Sequence, residues 1–68
     1  MKLISVISSH AKAVGYDENT LYVEYSDNSL YAYYNVPIDV YKNIFMAQSV
    51  GKYLHKYVKN TYEYRKIR

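Results

Sequence analysis

Tyrosine and lysine are the side chains of this sequence with the clearest chemical potential. The 68 residues include 11 Tyr, one Phe and no Trp. Lys52, Lys56 and Lys59 recur at i, i+4 and i+7, which places them on one face of a helix. Phenol rings stack on unpaired bases, and ammonium groups neutralise phosphates. The same residues suit two ordinary roles, a solvated helix face and tyrosines packed on one another.

Basic charge is concentrated in the C-terminal third of the chain. Residues 52–68 hold six basic residues and one acid, whereas residues 1–51 hold three basic residues and five acids. This asymmetry predicts a surface that contacts phosphates through Lys52, Lys56, Lys59, Arg65 and Lys66. If about four cations meet phosphates, the log–log slope of affinity against salt is near −3 on single strands. Solvated lysines would give no such slope.

Ser49-Val50-Gly51-Lys52 is a second candidate anion site. Ser49 is a typical helix N-cap, and the free N–H groups of a helix start attract anions. Gly51 would let a phosphate approach the backbone, and Lys52 would add a positive charge. The alternative is an ordinary serine cap with a glycine that makes room for close packing.

Several classes of protein are disfavoured by composition. The chain has no Cys, which excludes disulfides, cysteine-ligated zinc and thiol nucleophiles. His10 and His55 have no partners at metal-ligand spacing, so we expect no metal, no cofactor and no catalytic residue. A chain this short can barely enclose a pocket of about 300–1,000 Å³, which further disfavours an enzyme. The apolar run at residues 3–7 is too short for a signal-peptide core or a membrane segment, and the absence of Cys fits a reducing compartment, so a cytoplasmic protein is expected.

A predicted hairpin positions the tyrosines. Two strand-like runs, residues 21–25 and 30–34, flank a polar segment in which Asp27-Asn28 can form a two-residue turn. That turn pairs Tyr25 with Leu30 and places the aliphatic side chains on one face. The other face then exposes Tyr22, Tyr31 and Tyr33 as a platform for stacking bases. Alternatively these rings pack on one another, on the tail tyrosines or on a second subunit.

Two amphipathic helices are predicted after the strands. Pro37 suits the first position of a helix that runs to Ala47 or Gln48, and Ser49 begins a second helix that ends at a left-handed Asn60. The tail from Thr61 is either a short extra strand or an ordered arm. We therefore expect one α+β domain over residues 1–68. It would be a three-stranded antiparallel meander with both helices on one sheet face and an ordered C-terminal tail.

The order of these motifs resembles the KTSC domain family, a short module at the C-terminus of some lysyl-tRNA synthetases that also occurs alone in bacteria. The matching pieces, in chain order, are Ser8-Ser9, Val14-Gly15-Tyr16-Asp17, Tyr31-Ala32-Tyr33, Asn35-Val36-Pro37, Val40-Tyr41, Ser49-Val50-Gly51-Lys52-Tyr53, Val58-Lys59 and Tyr62-Glu63-Tyr64-Arg65-Lys66-Ile67. The chain departs from the family pattern at Ala11, Val50, Asn60 and Glu63, and two of these changes weaken the basic surface. The resemblance implies RNA binding.

Three functions remain open at this point. The leading hypothesis is a small non-enzymatic module that binds RNA or tRNA through the basic second helix, the tail and the exposed tyrosines. The second is a phage or mobile-element protein that sequesters a nucleotide signal or inhibits a host protein. The third is a homodimer that buries its tyrosine face.

Overall fold

A computed structural model describes residues 2–68 and has an α+β architecture. In chain order its elements are β1 (Ile4–Ser5), β2 (Ala11–Asp17), β3 (Thr20–Tyr25), β4 (Leu30–Tyr33), α1 (Ile38–Ile44), α2 (Val50–Leu54), a π-helix (His55–Lys59) and β5 (Tyr64–Lys66). The π-helix continues α2 without a break, and we call residues 50–59 the basic helix. Within the described residues the strands form one antiparallel sheet in the order β1-β2-β3-β4-β5.

The predicted three-stranded meander is therefore too small. Its strands are the central β2, β3 and β4, and a strand is added at each edge of the sheet. The tail supplies β5, which pairs with β4 so that Tyr64 lies opposite Tyr33 and Lys66 opposite Tyr31. Of the two states considered for the tail, the extra strand is the one observed.

The hairpin between β3 and β4 differs from its prediction by one residue. Glu24 lies opposite Leu30, Val23 opposite Tyr31 and Leu21 opposite Tyr33. The loop is Ser26-Asp27-Asn28, closed by a hydrogen bond of 2.8 Å from the Tyr25 N–H to the Ser29 carbonyl oxygen. The predicted two-residue Asp27-Asn28 turn and its register are wrong.

Local hydrogen bonds explain the longer loop. The Asp27 carboxylate accepts from the Ser29 N–H at 3.0 Å and from the Ser29 hydroxyl at 2.6 Å. Asn28 adopts a left-handed conformation with φ 72. A two-residue hairpin turn of the favoured type needs positive φ at both central residues, whereas a three-residue loop needs it once. Asn28 meets that single requirement.

The shifted register exchanges the two faces of β4. Tyr31 and Tyr33 lie on the face that carries Leu21 and Val23, which we call the helix-side face because the helices pack on it. Leu30 and Ala32 lie with Tyr22 and Glu24 on the opposite face, which we call the reverse face. The predicted platform of Tyr22, Tyr31 and Tyr33 is therefore wrong, because its members lie on different faces.

The core lies between the helix-side face and the two helices. Its side chains are almost fully buried: Val14, Leu21, Val23, Tyr33, Val36, Ile44, Leu54 and Val58. The Tyr16 hydroxyl donates to the Val36 carbonyl oxygen at 2.6 Å, and the Tyr53 hydroxyl donates to the Val40 carbonyl oxygen at 3.2 Å. The first bond ties the segment before α1 to β2, and the second ties α1 to the basic helix.

The helix ends match the sequence in part. Pro37 is the N-cap of α1 and precedes its first residue, and α1 ends at Ile44, earlier than predicted. Ser49 caps α2 as predicted. Asn60 has φ −109, so the predicted left-handed cap is wrong. Among residues 2–68, every helix is too short or too polar to cross a membrane.

Candidate functional site

A cleft of about 1160 Å³ lies between the basic helix and strands β3, β4 and β5 of the sheet. The sheet wall carries tyrosines, and the β3–β4 loop closes one end. The helix wall consists of Gly51, Lys52, Leu54, His55, Lys56 and Lys59. The short chain disfavours an enclosed cavity of this size, whereas this cleft is open and lies between two layers of the fold.

Four aromatic rings form what we call the tyrosine cluster: Tyr25, Tyr31, Tyr33 and Tyr64. The centroid of the Tyr31 ring lies 6.2 Å from that of Tyr33 and 5.6 Å from that of Tyr64. Tyr25 meets Tyr31 edge to face at 5.5 Å. The rings converge because Tyr31 and Tyr33 are two residues apart on β4 and β5 places Tyr64 opposite Tyr33. The cluster depends on the observed register.

The floor of the cleft is a pair of hydrogen-bonded phenols. The hydroxyl oxygens of Tyr25 and Tyr33 are 2.6 Å apart. Burial raises the pKa of Tyr25 far above the usual phenol range, and its hydrogen bond to Tyr33 raises that pKa further. Burial also raises the pKa of Tyr33, against the opposing effect of the same hydrogen bond. Both phenols are neutral at physiological pH and act as hydrogen-bonding groups rather than anions.

The helix wall supplies positive charge. Lys52, Lys56 and Lys59 are exposed, and the Lys59 Nζ lies 4.8 Å from the centroid of the Tyr25 ring. This cation–π contact joins the basic helix to the tyrosine cluster. Among the described residues that line the cleft, Asp27 is the acidic one. Its carboxylate accepts hydrogen bonds from Ser29, and these hold its pKa below the usual range. The three lysines outweigh that single carboxylate, so the cleft favours anions.

The start of the basic helix has the contacts of an ordinary helix cap. The Ser49 hydroxyl accepts a hydrogen bond of 3.3 Å from the Lys52 N–H, as an ordinary N-cap does. A Cβ on Gly51 would lie 2.3 Å from Cδ2 of His10, so the glycine makes room for that ring. The geometry favours the ordinary alternative for Ser49 and Gly51, and it leaves Lys52 as a cation of the cleft.

The structure brings some predicted contact residues together and separates others. Tyr31, Tyr33, Lys52, Lys56 and Lys59 line the cleft. Tyr22 lies on the reverse face, and so does Arg65, which is opposite Ala32. Lys66 is on the helix-side face opposite Tyr31 but outside the cleft lining. The predicted homodimer would bury a face shared by Tyr22, Tyr31 and Tyr33, and the sheet has no face that carries all three.

Sequence reasoning missed two rings of the cluster. Tyr25 was predicted in the aliphatic core, and Tyr64 was considered only as a partner on which the platform could pack. The alternation of Tyr62, Tyr64 and Lys66 was a signal for a strand, but its pairing partner could not be read from it. His10 and His55 also line the cleft, although they are far apart in sequence.

Comparison with known proteins identifies the family. The model of the KTSC domain matches residues 7–62. The chain belongs to the KTSC domain family. The crystal structure of a KTSC domain protein from Yersinia pestis has a TM-score of 0.93 and 29% sequence identity to it, covering 98% of this chain and 97% of that one. The resemblance stated from the sequence motifs is confirmed.

The relatives of this chain are proteins of very different length. The chain is 33% identical over 67 residues to a lysine–tRNA ligase of Nostoc sp., covering 96% of this chain and 12% of the ligase. It is 34% identical over 70 residues to an uncharacterized protein of Stutzerimonas stutzeri, covering 98% of this chain and 99% of that protein. The chain thus spans only a small part of the ligase and nearly all of the second relative.

Proposed function

We propose that this KTSC domain is a non-enzymatic module that binds RNA in the cleft. The lysines of the basic helix would contact phosphates, and the tyrosine cluster would receive an unpaired base. The observation that carries the proposal is the convergence of Lys52, Lys56 and Lys59 on one wall with four tyrosines on the other. Three of the tyrosines lie on strands before the basic helix and the fourth lies on the strand after it, and the fold brings them together with the lysines.

The chemistry of the two walls is complementary to a nucleotide. Aromatic stacking of a base stabilises a complex by roughly 1–3 kcal/mol, and the phosphate contact adds an attraction that salt weakens. The neutral phenols of Tyr25 and Tyr33 can hydrogen-bond to a base without repelling its phosphate. The similarity to part of a lysine–tRNA ligase supports RNA as the polyanion, because that relative is named for a tRNA.

The structure alters the expected dependence on salt. Arg65 lies on the reverse face and Lys66 outside the cleft lining, so three lysines remain for phosphate contact. With at most three phosphate contacts on a single strand, the log–log slope should be no steeper than about −2, rather than the value near −3 expected for four. The slope therefore distinguishes binding in the cleft from binding by the whole basic tail.

Titration of a fluorescent single-stranded RNA at about 50 and 200 mM salt tests the proposal. Lys52→Glu and Lys56→Glu should each weaken binding at least tenfold, because each turns an attraction into a repulsion. Lys42→Glu is the matched control, since Lys42 is exposed on α1 outside the cleft lining. A Kd weaker than about 100 μM, which is the weak end of non-specific binding, overturns the proposal. So does an equal loss in all three variants.

A further inference from the structure

We infer that the cleft receives one nucleotide unit, a single base with its phosphate, rather than a run of stacked bases. The inference rests on the proposed RNA binding and specifies the ligand at the same site. A free nucleotide and a nucleotide at the end of an RNA, or turned out of it, present this same chemistry. The dependence of affinity on RNA length distinguishes a site for one nucleotide from a site for an extended strand.

Few ring faces in the cleft remain available for stacking on a ligand. Tyr33 is 2% exposed and cannot stack on a ligand. The ring of Tyr25 is already in contact with the Lys59 ammonium group. Tyr31 is half-buried, and Tyr64 is 58% exposed, with 5.6 Å between their centroids. These two adjacent rings offer one stacking position.

The exposed aromatic surface inside the cleft is confined to the tyrosine cluster. An RNA-recognition sheet stacks two or three bases because its rings are spread across one exposed face. Here the helices cover the helix-side face beyond the tyrosine cluster, and Tyr22 lies on the reverse face. The next ring along the tail, Tyr62, is partly buried against the core and lines a separate, smaller groove beside Tyr64. A strand that left the stacking position would therefore not meet a second freely exposed ring in the cleft.

The cationic wall of the cleft is short. Lys52 and Lys56 are one turn apart, roughly 6 Å along the helix axis. Two ammonium groups at that spacing suit one phosphate or a short polyphosphate. The floor is also local, since one phenol of the Tyr25–Tyr33 pair donates to the other and a single O–H remains for a ligand. Stacking, phosphate and floor contacts all point to one nucleotide.

A length series tests the inference. Adenosine, its 5′-monophosphate and 5′-phosphorylated oligoadenylates of about two, four and eight nucleotides, a range that overlaps known single-strand sites, are titrated by calorimetry. We expect the monophosphate to bind at least tenfold more tightly than adenosine. From two to eight nucleotides the affinity should rise by less than about tenfold, because a longer oligonucleotide only offers more nucleotides that can each occupy the site.

Two outcomes separate the inference from the function on which it rests. A gain of roughly fivefold to 150-fold for each added nucleotide, as successive stacking gives, would show an extended site. That result overturns the single-nucleotide inference and leaves RNA binding intact. Binding of the fluorescent RNA without binding of any adenylate would have the same consequence. If neither the RNA nor any adenylate binds, the proposed function fails as well.

Variants at Tyr64 locate the stacking position. Tyr64→Ala should weaken the monophosphate and the oligoadenylates by the same factor, about fivefold or more, whereas Tyr64→Phe should bind like the parent because it keeps the ring. Tyr22→Ala is the matched control, since it removes a tyrosine from the reverse face of the same sheet. Equal losses for Tyr64→Ala and Tyr22→Ala, or full affinity in Tyr64→Ala, contradict the assignment.

Discussion

The two faces of the sheet carry similar side chains and use them differently. On the helix-side face, Tyr31 and Tyr33 pack with Tyr64 under the basic helix and form one wall of the cleft. On the reverse face, Tyr22 lies near an ion pair between Arg68 and Glu24. Residue type alone does not separate these roles. The position of a hairpin turn assigns each ring to the core, the cleft or the outer surface.

The contrast follows from the two-residue period of a strand. A shift of one residue in the pairing of β4 moves every one of its side chains to the other face. Both assignments are acceptable to the hydrophobic pattern, because all four residues from Leu30 to Tyr33 are apolar or aromatic. The hydrogen bonds of Asp27 and the left-handed Asn28 decide between them.

Removing one ring from each face gives the largest expected difference. Tyr33→Ala should lower the free energy of unfolding by about 3–5 kcal/mol, because it leaves a cavity where an almost fully buried ring was. A lone core in a domain this small supplies only about 3–5 kcal/mol, so this variant should be largely unfolded. Tyr22→Ala should cost about 1 kcal/mol. Urea denaturation measures both, and equal losses would restore the predicted register.

The sequence predicts the helices and strands of the fold better than it predicts the register in which the strands pair. The α+β class, the central hairpin strands and the Ser49 cap were all readable, because alternation, helical spacing and capping residues are local signals. The register was not readable, since the polar run from Ser26 to Ser29 accommodates loops of different length. The edge strand β1 is only two residues long and carries little pattern.

The candidate site was predicted in part for the same reason. The lysine face of the basic helix was found because its spacing is local to one helix. The tyrosine cluster needs three strands in a defined register, and β5 joins β4 across thirty residues of intervening chain. Short-range patterns cannot specify such a pairing. Tyr64 also lies beyond the residues matched by the family model.

A smaller effect is expected at the end of the cleft. Gly51→Ala improves helix propensity by about 1 kcal/mol but forces a methyl group into the His10 ring, an overpacking that costs about 1–3 kcal/mol. The net change should be a loss of up to about 2 kcal/mol in thermal or urea unfolding. With His10→Ala as the background, the same substitution should become stabilising. An identical loss in both backgrounds would show that the contact with His10 is unimportant.

The reverse face should respond more weakly. Arg68 donates to the Glu24 carboxylate at 2.5 Å and to the Asn28 carbonyl oxygen at 3.1 Å, and its side chain is 57% exposed. Arg68→Ala should therefore cost only about 0.2–1 kcal/mol, and added salt should reduce the difference. A double-mutant cycle with Glu24→Gln isolates the ion pair. A loss as large as that of Tyr33→Ala would mean that the tail holds the sheet together.

The smallest expected effect is a loss of stability at alkaline pH, which does not occur at neutral pH. Because the pKa values of Tyr25 and Tyr33 are raised in the folded state, the unfolded chain releases protons first, above about pH 10. The stabilisation is complete below that pH and is lost as pH rises toward the folded values. Urea unfolding from pH 7 to 11 should show this decline, with a shallower slope in Tyr25→Phe. Arg68→Ala keeps every phenol and serves as the control, so a parent slope in Tyr25→Phe would contradict the assignment.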